Sequence, residues 1–386
     1  MLLHGFFPME VRVAAEARAA VEEGFDVDVI CLRRSEEDAV EVCEGATVYR
    51  LPLSHVRGAG PLGVAWEYVG FTILAAMKAA ALAVRRRYDV IQVHNPPDFL
   101  IVGALVPRLL GARILFDVHD LAPDMFHMRF NGRPGAARAD RILRIIERGA
   151  IRAADEIVTV HEPYRQELIS RGAAPDRVSV VLNTLDERLL PSPAERAVSD
   201  GFLVTYHGTV TPHYGVELLV GAAAEAAASV PQLKLEIYGE GDSVPDVVDR
   251  ARELGIADRV WVSPEPLPQR DVLKAVQRAS AGVVPNLPTR LNRFALSTKL
   301  FEYVALGVPV VCADLPTIRS YFSEREVLFF RPGDEFSLAE ALVQVADDPD
   351  AAEARADAAR RRYEQYRWPL NAARYVEVVR RTARTA

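Results

Sequence analysis

The chain has 386 residues, and its 46 basic against 53 acidic side chains give a formal charge of −7, so no basic excess marks nucleic acid as the main partner. That length exceeds what one hydrophobic core usually supports, and with 50% apolar residues two domains of comparable size are expected. Cys31, Cys43 and Cys312 lack the spacing of a metal site or a disulfide framework, which suits free thiols in a reducing compartment.

The chain opens MLLHGFFPMEVRVAAEA, with no basic leader ahead of a long apolar run. No secretory signal is expected, and the protein is expected in the cytoplasm. Only Met1 to Leu3 precede His4-Gly5, so the first strand is expected to be short, and a start farther upstream stays open.

Residues 61–84, PLGVAWEYVGFTILAAMKAAALAV, approach membrane-spanning length, but Glu67 and Lys78 interrupt the run and Arg85, Arg86 and Arg87 close it. A core helix of a large α/β domain is the expectation. The closing arginines also suit a helix that touches the inner face of a membrane peripherally.

Apolar β-type runs then alternate with helical patterns. DVDVICL, DVIQVH, RILFDVHD, EIVTVH and VSVVLN come first, followed by FLVTYHGT, LKLEIYGEG, RVWVS, AGVVPN and VPVVCAD. Such continuous runs predict parallel strands buried on both faces. Residues 184–200, TLDERLLPSPAERAVSD, are polar, carry two prolines and hold no sustained period, which predicts a linker. The fold class is therefore α/β, with two doubly wound parallel-sheet domains facing a central cleft, at 1–190 and 200–366. Trp368-Pro369 breaks the chain before a final amphipathic helix, and 367–386 is expected to pack back on the first domain. Val27 alternates with Asp26 and Asp28 in strand fashion, so that acidic pair is not read as a metal motif.

Ligands of such sheets bind beyond the carboxyl ends of the strands. In the first domain those positions carry His4-Gly5 with Glu10 and Arg12, then His94, Asn95 and Asp98, then His119 and Asp120. An Asx turn ahead of a helix explains Asn95 and Asp98 equally well, given Pro96-Pro97, and His119 is either a strand-end structural residue or a site residue. His161 is expected to start a helix.

In the second domain HGTVTPHYGVELLV offers the amides of Gly208 and Thr209, and a helix start near Gly215, to an anionic group, although glycines in such turns are often purely steric. STKLFEYVALG offers a second seat. Ser297 or Thr298 caps a helix that Gly307 closes, Lys299 adds positive charge, and Glu302 lies about one turn farther, placed to accept from the hydroxyls of a ribose. The plainer alternative makes Glu302 a complement to the helix dipole and Lys299 a solvated side chain.

Taken together, PMEVRVAAEARAAVEEGFDVDVIC, YDVIQVHNPPDFL, ILFDVHDLAPDMF, YHGTVTPHYGVELLV, LEIYGEGD, VVPN and STKLFEYVALGVPVVCAD resemble the retaining family 4 glycosyltransferases of the GT-B fold over nearly the full chain. The resemblance implies transfer of a sugar from a nucleotide diphosphate sugar, UDP- or GDP-linked, to a saccharide or lipid-linked acceptor, in cell-surface glycan or glycolipid synthesis. It implies a same-face attack that needs no protein nucleophile, no metal and no cofactor. Glu302 matches the family's ribose-binding carboxylate, but its companion acid falls on Phe294, and the diphosphate cations fall on Thr209 and about Tyr214. Lys299, Arg293, Arg290 and His213 are the expected substitutes. The donor set is completed by Gly5, Gly239 and backbone near Val262; His119 with Asp120 and Lys299 form the catalytic set, and His94, Asn95 and Asp98 the acceptor set. A non-catalytic nucleotide-sugar-binding protein would also account for the departures. A dinucleotide-dependent dehydrogenase is disfavoured by the lack of a Gly-x-Gly-x-x-Gly fingerprint after any strand.

Overall fold

The computed structural model describes residues 1–53, 60–130, 135–192, 201–290 and 292–384. The chain divides into two compact units, Met1–Asn183 with Pro369–Ala386, and Thr184–Trp368.

Among the described residues, the first unit is built on an eight-stranded sheet. Its strands are β1 (Leu2–Leu3), β2 (Asp28–Leu32), β3 (Val40–Cys43), β4 (Ala46–Leu51), β5 (Val90–His94), β6 (Arg113–Val118), β7 (Glu156–Thr159) and β8 (Val178–Val180). They lie in the order β3-β4-β2-β1-β5-β6-β7-β8; β3 runs antiparallel to β4 and the other pairs are parallel. Every residue of β2 and β7 is buried, as expected of apolar runs covered on both faces by helices. Those helices are α1 (Val11–Glu22), α2 (Pro61–Arg86), α3 (Leu105–Leu109), α4 (Ala122–Phe130), α5 (Ala136–Ala153) and α6 (Glu162–Ser170). The order reverses between β1 and β5, which brings the ends of these strands to the sheet's switch point.

Helix α2 meets the core-helix expectation on one face only. Phe71, Ala75, Ala79 and Ala83, spaced four apart, are buried, whereas Trp66, Ile73, Met77 and Val84 are exposed. Both charges that interrupt its apolar run turn inward. Glu67 pairs with His4 Nε2 at 3.1 Å, and Lys78 Nζ lies 4.3 Å from the centre of the Tyr49 ring.

Among its described residues, the second unit has a six-stranded, all-parallel sheet of β9 (Phe202–His207), β10 (Leu233–Tyr238), β11 (Val260–Val262), β12 (Ala281–Val284), β13 (Val310–Ala313) and β14 (Leu328–Phe330). The order is β11-β10-β9-β12-β13-β14, so the switch point lies between β9 and β12. Its helices are α7 (Val216–Ala227), α8 (Val244–Glu253), α9 (Gln269–Val276), α10 (Thr298–Leu306), α11 (Pro316–Arg319), α12 (Glu335–Asp347) and α13 (Pro349–Tyr363). Of the expected linker, Glu187 accepts from Arg367 and from the Tyr363 hydroxyl, and residues 193–200 lie outside the described residues.

The last helix, α14 (Trp368–Arg384), completes the first unit. Tyr375 is buried and donates to Gln92 at 2.6 Å, Asn371 accepts from the Leu182 amide at 3.0 Å, and Arg381 reaches Glu156 at 2.8 Å.

Candidate functional site

Helix α10 starts without a side-chain cap. Ser297 holds the extended N-cap conformation but makes no capping hydrogen bond, so the amides of Thr298 and Lys299 have no acceptor within the helix. At the other end Gly307, at φ 70°, takes the left-handed conformation that closes the last turn. The positive end of the helix is therefore available to an anion.

Lys299 is buried rather than solvated. Its ammonium lies 5.0 Å from the ring centre of Tyr206 and 4.8 Å from that of Tyr214. A side chain at Gly208 would crowd it, since a Cβ there would stand 3.1 Å from Lys299 Cε. Burial, opposed by the charge of Glu302, pushes Lys299 down to about 8.

Glu302 is not a lone carboxylate. Gln269 Nε2 donates to one oxygen at 3.0 Å, and His207 Nε2 meets the other. Burial works to raise its pKa, but the His207 hydrogen bond and charge, with Gln269 and Lys299, hold it below the ordinary range. His207 is the last residue of β9 and Gln269 the first of α9. Sequence reasoning missed both partners, although a histidine ending a strand is the kind of signal that marked His94 and His119.

These groups line a cavity of about 330 Å³ at the carboxyl ends of β9, β10 and β11. Thr209, Gly239, Ser263, Gln269, Lys299 and Glu302 are on its wall. A Cβ at Gly239 would lie 1.9 Å from the Gly208 carbonyl oxygen, so only glycine permits the two strand-end loops to cross.

Several expectations change. The Gly208 amide is not open to an anion, because it donates to the Tyr238 carbonyl at 2.8 Å and prolongs the strand pairing. Val262 stays in the sheet opposite Ile237, and the next residue, Ser263, lines the cavity instead. His213 does not line it; its carbonyl accepts from Asn292 Nδ2 at 2.7 Å, and Tyr214 packs behind Lys299. Arg290 and Arg293 are exposed and outside the lining, with the Arg293 guanidinium 4.3 Å from the centre of the buried Phe294 ring. Of the substitute cations, the structure brings Lys299 to the cavity.

The first unit holds a separate polar cluster. Arg12 grips Asp117 with Nη2 at 2.9 Å and Nε at 3.2 Å, and its Nη1 donates to the Val181 carbonyl at 2.7 Å. The same Asp117 oxygen meets His94 Nδ1 at 3.0 Å and His119 Nε2 at 2.9 Å. Burial would raise Asp117, but Arg12 and then His119 hold it well below the carboxylate range. It therefore only accepts, and His119 Nε2 donates to it, leaving Nδ1 of the partly exposed ring for other contacts. Burial pushes His94 down to about 4. Among the described residues His94, Asp117 and His119 could hold a metal ion by distance, but the Arg12 guanidinium already occupies the carboxylate.

His94, Asn95 and Asp98, the residues expected on the acceptor side, are buried and engaged in internal hydrogen bonds. Asn95 Oδ1 accepts from the amides of His119 at 2.7 Å and Asp120 at 3.3 Å, while its Nδ2 donates to Asp98 and to the Asp120 carbonyl, both at 2.7 Å. Three of its four hydrogen bonds fix the His119-Asp120 turn, and the fourth holds Asp98. Asp120 is half-buried, and burial raises its carboxyl. Gly5 follows β1, where its carbonyl accepts from the Leu32 amide and a Cβ would meet Glu10 Cγ at 3.0 Å. His161 caps α6 through Nδ1, which accepts from the Tyr164 amide at 3.1 Å.

Two family profiles match the chain: "Glycosyl transferase 4-like domain" over residues 9–184 and "Glycosyl transferase-like" over 217–377. Among relatives, the D-inositol 3-phosphate glycosyltransferase of Kribbella flavida is 26% identical, covering 94% of this chain and 88% of its own. The alpha-maltose-1-phosphate synthase of Mycolicibacterium smegmatis is 27% identical over 73% of this chain and 76% of its own. Among solved structures, a sucrose-phosphate synthase from Thermosynechococcus elongatus superposes with a TM-score of 0.78 at 19% identity, covering 98% and 94% of the two chains. The Anabaena protein HepE in complex with UDP-glucose gives 0.74 at 16% identity, covering 98% of each. These likenesses identify the fold as GT-B.

Proposed function

Because the chain belongs to the family 4 glycosyltransferases, we propose that it moves a sugar from a nucleotide diphosphate sugar to a saccharide or lipid-linked hydroxyl with retention at the anomeric carbon. One observation carries this reading: the uncapped start of α10 brings two open amides, the buried Lys299 ammonium and the Glu302 carboxylate to one cavity. The diphosphate takes the amides of Thr298 and Lys299 and the Lys299 charge. The ribose takes Glu302, held in place by His207 and Gln269.

The barrier to transfer lies largely in the charge that develops on the departing diphosphate. Fixed amides and a buried cation, whose field is little screened, stabilise that charge more than they stabilise the intact donor. We infer that these groups serve where other enzymes use a metal ion. The attack comes from the face the leaving phosphate departs, so that phosphate takes the acceptor proton and no protein nucleophile is required. Asn95 and Asp117 act as positioning residues for the turn and ring of His119, whose Nδ1 stays open to a ligand.

The reading keeps the enzyme in the cytoplasm, where Cys31, Cys43 and Cys312 stay as free thiols. The relatives are named for activities as different as a D-inositol 3-phosphate glycosyltransferase and an alpha-maltose-1-phosphate synthase, so the acceptor class here is kept at saccharide or lipid-linked hydroxyl. The test is a thermal-shift panel of UDP- and GDP-sugars followed by assay of nucleoside diphosphate release with the stabilising donor. Stabilisation by one donor that Lys299→Met abolishes is expected; no stabilisation by any donor sinks the reading.

A further inference from the structure

The helical face of the first unit that carries α2, α3 and α5 is apolar and basic at once, and we propose that it docks on an anionic lipid surface. Residues 66, 73, 77 and 84 of α2 fall on one line at about 100° per residue, and Trp66, Ile73, Met77 and Val84 are 74%, 55%, 65% and 71% exposed. Residues Gly63–Arg86 are long and apolar enough to cross a membrane, yet the opposite face of the helix is seated on the sheet, so the exposed stripe lies along a surface instead of spanning it.

The stripe continues onto its neighbours. The 3₁₀ turn Asp98–Ala104 packs on α2, where a Cβ at Gly103 would stand 3.8 Å from the Ala76 backbone, and α3 follows it along the same helix. Leu105 and Leu109 of α3 are exposed, Leu109 to 85%. On the far side of that turn α5 adds the exposed Ile142 and Ile145.

Charge selects the occupant. Around the apolar residues stand exposed arginines: Arg85 and Arg87 at the end of α2, and Arg138, Arg141 and Arg148 on α5. The acids of these elements are engaged elsewhere. Glu67 turns to His4, Asp98 to Asn95, Glu147 to Arg171 at 2.6 Å, and Asp140 pairs with Arg144 at 2.9 Å. A chain with a formal charge of −7 thus presents a basic rim around apolar anchors on one face. Lipid phosphates meet the arginines while Trp66 and the aliphatic side chains enter the headgroup boundary. This inference stands independently of the glycosyl-transfer reading.

Flotation of the full chain with phosphatidylcholine vesicles, with and without a third of the lipid replaced by phosphatidylglycerol, tests it. Binding to the anionic vesicles that weakens at high salt is expected, with about a tenfold loss in partition for Ile73→Glu/Met77→Glu and for Arg138→Glu/Arg141→Glu. All four positions are exposed, so melting temperature and nucleoside diphosphate binding should be unchanged, which separates this test from that of the activity. Equal flotation with neutral vesicles, no flotation at all, or flotation untouched by both double variants overturns the proposal. So does a dimer that Ile73→Glu/Met77→Glu dissociates in the absence of vesicle binding, which would assign the face to a second copy of the chain.

Discussion

The imidazole of His207, at the end of β9, holds the carboxylate of Glu302, 95 residues farther along the chain, and Gln269 holds its other oxygen. A carboxylate fixed from both sides keeps lone pairs aimed at the cavity and cannot swing toward Lys299. Glu302→Ala should weaken UDP binding about tenfold or more, as expected for losing a hydrogen bond to a charged group. The preference for UDP over 2′- or 3′-deoxy-UDP, measured by calorimetry, should shrink in the variant; an unchanged preference would remove Glu302 from the ribose site.

Lys299 is assigned the developing diphosphate charge. Lys299→Met should lower kcat/KM by about 10²- to 10³-fold, the usual consequence of removing one preorganised charge-stabilising group. Lys299→Arg should not restore activity, because the stem passes against Gly208 where no room remains for a wider guanidinium. Full activity in the arginine variant would contradict that packing argument.

The same lysine sets a pH dependence. Burial pushes it down to about 8, so in the free enzyme it is charged below that pH and neutral above it. The charged form binds the diphosphate, so affinity for UDP should be level at neutral pH and fall by about tenfold per unit above about 8. Titration calorimetry across that range should lose this alkaline limb in Lys299→Met.

Asn95 spends its side chain on the His119-Asp120 turn. Asn95→Ala leaves the half-buried amides of His119 and Asp120 and the buried Asp98 carboxyl without their partner, and should destabilise the first unit by ~1–3 kcal/mol. Denaturant unfolding measures this, and UDP binding by the second unit should survive it.

Asp98 gives a stability test with a sign. Burial, relieved in part by Asn95, raises its pKa to about 7, well above an unfolded aspartate. The folded state therefore holds the proton between those values. Its stabilising contribution is full below the unfolded pKa and is lost as pH rises toward 7. Wild type should lose more stability than Asp98→Asn between mildly acidic and neutral pH; parallel profiles would show that Asp98 does not titrate there.

How much of this was legible varied with the distance over which information had to travel. The buried strands β2, β5, β6, β9 and β13 declared themselves as largely apolar runs, because burial on both faces removes polar alternation, whereas β10 sets Lys234 and Glu236 between its apolar residues. The edge strand β3 and the three-residue β14 gave no comparable run, and β4 was hidden beside β3. Lys299, Glu302 and His119 stood out because each follows a strand or opens a helix. The partners that fix them did not, since His207 and Gln269 reach Glu302 only once β9, α9 and α10 are assembled. For Asn95 the Asx-turn alternative identified the right kind of role, yet the turn it fixes begins 24 residues later. The α2 stripe was unreadable for another reason: a helix apolar all round carries no period to show which side meets the sheet.

The seating of α14 makes the first unit depend on a segment that lies beyond the second unit in sequence. Tyr375, Asn371 and Arg381 supply partners to Gln92, Leu182 and Glu156, so the first unit lacks a wall until α14 docks. The second unit needs no such late arrival, which reverses the order of completion that the chain's own direction would suggest. A purified chain cut back to Arg367 should show a protease-resistant second unit and a still-sensitive first one.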